Sequence, residues 1–288
     1  MSIGLIGVEK QEFDSEVKHV YQGMQTLRST VTVRNGVVGD TYNFRRMGKG
    51  LANQKAIQSL VTPMNVGHAL IACDLHDWLA PEYTDIFAAQ TVNFDEKVEL
   101  ATTIGKALGR RDDQMVIEAL EDLTYAADAT AVADETEGRY EDFGGDRFIS
   151  STLQFVRSYY NSIECFDDIY CVCGASAIDN LLGEEKATSA DYVRNKVLDT
   201  GKLDSHLGFT FKIIGDRTGE GGITQTDATN HFAYFYPKAA VGMAVGLDIR
   251  TSIDWVPERT SWLCNGLLKA GAVVRDPNAV FKCQYDPA

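Results

Sequence analysis

The sequence predicts an α+β fold. Three observations carry that prediction: one long stretch of three- and four-residue apolar steps in the middle of the chain, alternating apolar and polar residues towards both ends, and the lack of any internal repeat or low-complexity tract. With 288 residues the chain has room for about two lobes, taking roughly 150 residues for each. Its 44% hydrophobic and 24% charged residues are the composition of an ordinary core and surface.

The elements follow in order. Phe13, Val17, Val20, Tyr21 and Met24 recur at the spacing of a short amphipathic helix, an arm suited to lying on another surface. From Arg28 the pattern turns to alternation, with Val31, Val33, Val37, Tyr42 and Phe44 set among Thr, Arg and Asn. A basic, glycine-rich tip follows (Arg45-Arg46-Met47-Gly48-Lys49-Gly50), and Val61 to Leu75 returns extended. Residues 28–75 therefore read as one long hairpin, with Asn35-Gly36 as an alternative tight turn. Two strands of about 15 residues at about 3.4 Å each would reach roughly 50 Å. A lone two-stranded ribbon is marginal in water, so something outside the monomer's own core is expected to pack on it.

Asp77 to Gln90 is expected to form a short helix, and Asn93 or Asp95 to cap a rod running from Phe94 to Leu123, roughly 43 Å long. Phe94, Val98, Ala101, Ile104, Leu108, Met115 and Ala119 define its apolar stripe. Glu121 to Asp146 is acid-rich, with Arg139 its only basic residue, and reads as a solvated loop. Helical spacing resumes from Ser150 to Ile163; Ile169 to Cys173 reads as a strand and Ser176 to Leu182 as a helix. Gly208 to Ile214 is a strand leading into a glycine cluster, Gly215 to Gly222, and further alternation covers Ala233–Tyr236, Ala239–Ile253, Leu263–Ala272 and Ala279–Cys283.

Chemistry is harder to find than architecture. The net charge of −14 argues against a surface built to grip nucleic-acid phosphates. No apolar run approaches the roughly 18 residues of a membrane span. The opening residues lack the regions of a signal peptide, so the chain is read as a soluble product of the cytosol. Of the six cysteines, Cys73, Cys165, Cys264 and Cys283 are scattered; Cys171 and Cys173 share one face of a strand and read as buried thiols, not metal ligands. His19, His68, His76, His206 and His231 show no paired spacing. Gly105-Lys106 and Gly201-Lys202 do not complete a P-loop, and Asp216 and Glu220 would repel phosphate from the Gly215–Gly222 loop. Ser176 lacks a nucleophile elbow and reads as a helix cap; Asp77 with Asp85 and Asp112 with Asp113 read as solvated carboxylates. Arg45, Arg46 and Lys49 lack the interleaved aromatics of a single-strand site, so pairing with an acidic face of a neighbouring copy suits them better. No catalytic, cofactor-binding or metal-binding residue is assigned, and the chain is read as a non-enzyme.

What stands out is an order: arm, projecting hairpin, long rod, compact body. Specific segments occur in that order. They are Phe13-Asp14-Ser15-Glu16-Val17-Lys18-His19, Met47-Gly48-Lys49-Gly50, Val61-Thr62-Pro63-Met64-Asn65-Val66, Glu82-Tyr83-Thr84-Asp85-Ile86-Phe87, Val92-Asn93-Phe94-Asp95-Glu96 and Thr260-Ser261-Trp262-Leu263. In these segments and their spacing the chain resembles the major capsid proteins of tailed bacteriophages with the Hong Kong 97-type fold, specifically a branch common in short-tailed phages.

The resemblance implies an N-arm at residues 1–27, an E-loop at 28–76, and a peripheral domain at 77–149 with a spine helix and acidic loop. It further implies an axial domain at 150–230 and a return to the peripheral domain's sheet at 231–288. It implies pentamers and hexamers in an icosahedral head, assembled in the host cytoplasm around double-stranded DNA that is bound without sequence specificity. A separate scaffolding protein, a portal and a cement protein are the implied partners, with no cofactor and no membrane. Some relatives crosslink Lys to Asn; Lys49, Lys55 and Asn265 are available by type, but noncovalent contacts are expected here. Two alternatives stand beside this reading: an encapsulin-like compartment shell, and a cytosolic thiol-dependent enzyme using the strand end at Cys171 to Gly174.

Overall fold

The computed structural model describes residues 25–87, 95–126, 137–184, 203–215, 222–223 and 231–287. The predicted arm helix and most of the glycine cluster lie outside the described residues. The described chain forms two large sheets and a separate two-stranded ribbon.

The first sheet has four strands in the order β1 (Thr32–Asn35), β11 (Val241–Val256), β12 (Ser261–Val274) and β4 (His76–Asp85). β11 and β12 are a long antiparallel pair, and β1 joins β11 in parallel. The rod, α1 (Glu96–Glu121), lies across this sheet. Its N-terminus is set by Asp95, whose carboxylate accepts from the Lys97 amide at 3.2 Å, and Glu96 and Glu99 in the first turn complement the helix dipole. At 26 residues it spans about 39 Å.

Ile104, Leu108, Met115, Val116, Ile117 and Leu120 bury against Met243, Val245, Cys264 and Leu268. The helix can approach so closely because Gly266 sits beneath it: a Cβ there would overlap Ile104 Cγ2 and lie 2.8 Å from Leu108 Cδ1. Val98, assigned to the apolar stripe from its spacing, is exposed. Residues 112–117 are instead buried all round, because this half of the rod passes beneath both the second sheet and the segment entering from residue 25.

The second sheet has seven strands in the order β5 (Tyr125–Ala126), β6 (Gly138–Arg147), β13 (Phe281–Asp286), β10 (His231–Pro237), β7 (Ile169–Cys173), β9 (Phe209–Ile213) and β8 (Ser205–His206). Helices α2 (Ser150–Ser162) and α3 (Ala175–Leu182) cover one face with an aromatic-rich core, in which Phe209 and Phe235 meet at 5.0 Å and Phe148 and Tyr285 at 5.1 Å. β10 is buried on both faces. Ala233 and Phe235 point into the core under α2 and α3, while Tyr234 and Tyr236 point into the core shared with α1.

Several expectations are corrected by strand pairing. Residues 77–85 are not helical; they are β4, paired with β12 over its whole length from Ala270 opposite His76 to Ser261 opposite Asp85. Pro81 is tolerated because β4 is an edge strand, and the pairing overrides a pattern that local spacing alone reads as helix. The end of the acid-rich loop is strand β6, parallel to β13 and pinned by a 2.7 Å hydrogen bond from Tyr140 OH to Gln284 Oε1.

The hairpin is shorter than residues 28–75. β1 belongs to the first sheet through β11, and only β2 (Thr41–Met47) and β3 (His68–Asp74) pair with each other. The final segment does not return to one sheet. β11 and β12 enter the first sheet, but β10 and β13 complete the second, as does β6 from the segment 77–149.

Candidate interaction surface

The ribbon β2–β3 is the feature that this chain's own core does not absorb. It is in register from Thr41 opposite Asp74 to Met47 opposite His68, and Gly48 donates onward to the Gly67 carbonyl at 2.8 Å. Its root is fixed. Phe44 and Cys73 pack with Leu75 and Ala244, and the Phe44 ring rests over Gly242, where a Cβ would come within 2.9 Å of it. Lys269 reaches Asp40 at 2.7 Å and Asp77 at 3.5 Å, and Arg46 reaches Asp276 at 3.3 Å.

Beyond the paired strands the chain from residue 48 to 67 has no regular structure, apart from a turn at Ile57–Gln58. Here Leu51, Ile57, Leu60 and Val61 are 84, 95, 94 and 78% exposed. Scattered surface leucines need no explanation, but four near-fully exposed aliphatic side chains within eleven residues of one projecting segment form a surface that water disfavours.

A second fixed point lies where the chain enters the body. The Asp113 carboxylate is fully buried and accepts from the Thr26 amide at 2.9 Å, the Leu27 amide at 2.8 Å and the Thr26 hydroxyl at 3.2 Å. Gln25 Nε2 donates to Asp112, and Arg28 pairs with Asp248 at 2.7 Å. Thr30 and Tyr236 share a hydrogen bond at 2.8 Å. Asp112 and Asp113 are therefore not solvated carboxylates, as their sequence context suggested; they hold the entering segment to α1. Nothing in their spacing separates them from the exposed acids of this chain.

Burial pushes the Asp112 carboxyl up to about 7, against the pull of Arg28 and with the help of Asp113 and Asp248. The folded state then holds a proton that the unfolded chain releases near 3.8, so this group's contribution falls as pH rises from about 4 to about 7. Asp112→Asn is expected to raise stability at pH 8 by about 2–4 kcal/mol and to change it little at pH 4, measured by denaturant titration at both pH values. An equal shift at both would contradict the assignment.

The other candidates from the sequence fall into structural roles. Ser176 is not the cap of α3, which is Gly174; its hydroxyl lies inside the second position of the helix, 3.0 Å from His231 Nδ1 and 3.1 Å from Tyr285 OH. His206 lies 3.2 Å from Ser150 Oγ, whose amide donates to Glu184 at 2.7 Å and so closes the start of α2. Cys171 and Cys173 face the core under α2 and α3, and burial holds the Cys171 thiol well above its ordinary range, which disfavours the thiolate a nucleophile needs. Asp77 and Asp85 stand on β4, at opposite ends of it. Among the described residues there is no group of three or more His, Cys, Asp or Glu placed to hold a metal ion. No described helix is long and apolar enough to cross a membrane.

Comparison with known proteins decides what these features belong to. The model of the family described as "Phage capsid protein" matches residues 7–286. The chain belongs to that family. No curated protein matches it in sequence. Among solved structures it is similar to the capsid of the cyanophage P-SCSP1u, with a TM-score of 0.76 at 13% identity, covering 96% of this chain and 93% of that one. It is similar also to the capsid of a native GTA particle (TM-score 0.73, 15% identity, 96% and 95% covered) and to that of the cyanophage Pam1 (0.72, 12%, 98% of both).

At such identities the likeness is one of fold: this phage capsid protein has the Hong Kong 97-type architecture, with α1 as its long helix. Within the subunit, Lys49 and Lys55 stand on the exposed tip of the ribbon, and Asn265 sits in β12 between Ser252 and Pro81.

Proposed function

We propose that this capsid protein is the major shell subunit of a tailed-phage head, located in the virion, and that copies of it join as pentamers and hexamers through the β2–β3 ribbon. The observation that carries the ribbon's role is the exposed aliphatic run Leu51, Ile57, Leu60 and Val61 on a segment whose root is fixed and whose tip has no packing partner among the described residues. The ribbon is the E-loop in this reading and α1 the spine. The two-faced burial of β10 makes the two sheets one stiff body that carries the ribbon outward.

The role is structural, not enzymatic. The shell encloses double-stranded DNA, and the surplus of acid over base keeps the packaged genome from adhering. A separate scaffolding protein and a portal complete the assembly, with a cement protein as a further partner. The encapsulin-like alternative shares the fold and differs in its cargo.

The test is the quadruple change of Leu51, Ile57, Leu60 and Val61 to serine. These side chains lie outside the subunit's core, so the thermal midpoint of the isolated subunit should stay within about 2 °C. The subunit concentration needed for assembly should rise at least about 100-fold, read by sedimentation and electron microscopy. Unchanged assembly would refute the ribbon's role; a fully ordered tip in a dilute monomer would refute the shell reading itself.

A further inference from the structure

Beside the root of the ribbon lies a cleft of about 380 Å³ lined by Arg34, Tyr42, Asn43, Phe44, Arg45 and Arg275. Three arginines and no Asp or Glu contribute to that lining, in a chain whose net charge is −14, while Arg45 and Arg275 also border an adjoining cleft of about 440 Å³ that holds Glu164, Asp167 and Asp276. The neighbouring Arg46 is answered by Asp276, but Arg34, Arg45 and Arg275 have no ion-pair partner among the described residues. Arg275 is held in place: its guanidinium lies over the Phe44 ring at 5.3 Å, its Cδ fills the space above Gly242, and its Nε is buried with no hydrogen-bond acceptor. Arginines gathered at one cleft repel one another; an anion there relieves that repulsion, and a planar fork matches a carboxylate best.

We propose that this cleft is a carboxylate-binding site and that its occupant is an Asp or Glu side chain of a second copy of the chain. The proposal rests on the shell reading above. Two observations favour a second copy over nucleic-acid phosphate. The cleft is continuous with the ribbon that needs another subunit, since Tyr42, Asn43, Phe44 and Arg45 are residues of β2 itself. Every copy also carries 41 acidic against 27 basic residues, so a neighbour's surface offers surplus carboxylates. The arrangement divides the labour: the apolar tip supplies affinity, and the arginine cleft at its root fixes the orientation of the neighbour.

The experiment uses the full chain with Arg45→Lys, assembled from equal amounts of ¹⁴N- and ¹⁵N-labelled subunits and treated with a water-soluble carbodiimide. The coupling joins a lysine amine to a carboxylate as an amide, so peptides spanning the junction report the partner. Crosslinks at position 45 that pair light with heavy peptides are the expected result. Crosslinks only to acids of the same copy, or none in particles that have formed, overturn the proposal.

Because the lysine side chain could fail to reach, a second measurement stands beside it. Arg34→Gln with Arg45→Gln is expected to raise the subunit concentration needed for assembly about tenfold at low salt and to flatten its salt dependence. Normal assembly with weakened retention of DNA would assign the cleft to phosphate and likewise overturn the proposal. Failure of the unaltered chain to form particles would instead count against the shell reading.

Discussion

Replacing Gly271 with alanine is expected to destabilise the subunit by about 3 kcal/mol or more and to lower its thermal midpoint by roughly 10 °C, read by circular dichroism of the unassembled protein. Gly271 lies in β12 opposite Ala244 of β11, one residue beyond Ala270, which pairs with His76 at the start of β4. There the chain turns from β4 back towards the ribbon, and the backbone of Asp74 crosses directly over the glycine. A Cβ at position 271 would overlap the Asp74 carbonyl oxygen and sit 3.4 Å from Cys73 Sγ.

A side chain could rotate away, but a carbonyl held between two paired strands cannot. Leu75 is fixed besides by its own hydrogen bond to the Asp40 carbonyl at 2.8 Å. The ribbon's root would have to lift from the sheet. Gly105→Ala is the contrasting control: it lies in the interior of α1 with nothing within 4 Å of its would-be Cβ, and alanine there should stabilise by about 0.5–1 kcal/mol. Equal effects at the two sites would show that the close crossing is not what holds the ribbon.

Asp113→Ala is expected to cost about 3 kcal/mol and to free the entering segment from α1. The substitution removes the acceptor of the Thr26 and Leu27 amides together with the Thr26 hydroxyl, and Leu27 is fully buried, so its amide would lose its bond without gaining water. The specific readout is trypsin cleavage after Arg28, which the ion pair with Asp248 and the neighbouring anchor now hold against the body. Cleavage there should accelerate at least tenfold in the variant, beyond the rise expected from lower global stability measured in the same samples. An unchanged cleavage rate would mean that the segment is held by its apolar contacts alone.

The sequence and the structure agree most closely where a segment's behaviour depends on itself. The rod was legible because its cap at Asp95 and its apolar steps at Ile104, Leu108 and Met115 are local signals, and α2, β7 and α3 were legible for the same reason. Residues 77–85 misled because the period of Trp78, Ala80 and Thr84 becomes visible as a strand only when β12 lies beside it. β6 was hidden by its acids Glu141, Asp142 and Asp146, none of which the strand fully buries. The glycine contacts at positions 266 and 271 left no trace at all, since a glycine reads the same whether it frees a turn or makes room for another segment.

The sequence alone determined the order of ribbon, rod and body, the family to which the chain belongs, and the excess of negative charge, because each is a property of neighbouring residues or of a sum over the chain. Only the tertiary structure decided that β1 leaves the ribbon for β11, that β6, β10 and β13 build one sheet with β7, and that Asp112 and Asp113 are anchors while Arg34, Arg45 and Arg275 line one cleft. Strand partners and burial are relations between residues far apart in the chain. For Asp113 and Leu27 that separation is 86 positions, and no local pattern encodes which acid will find which amide.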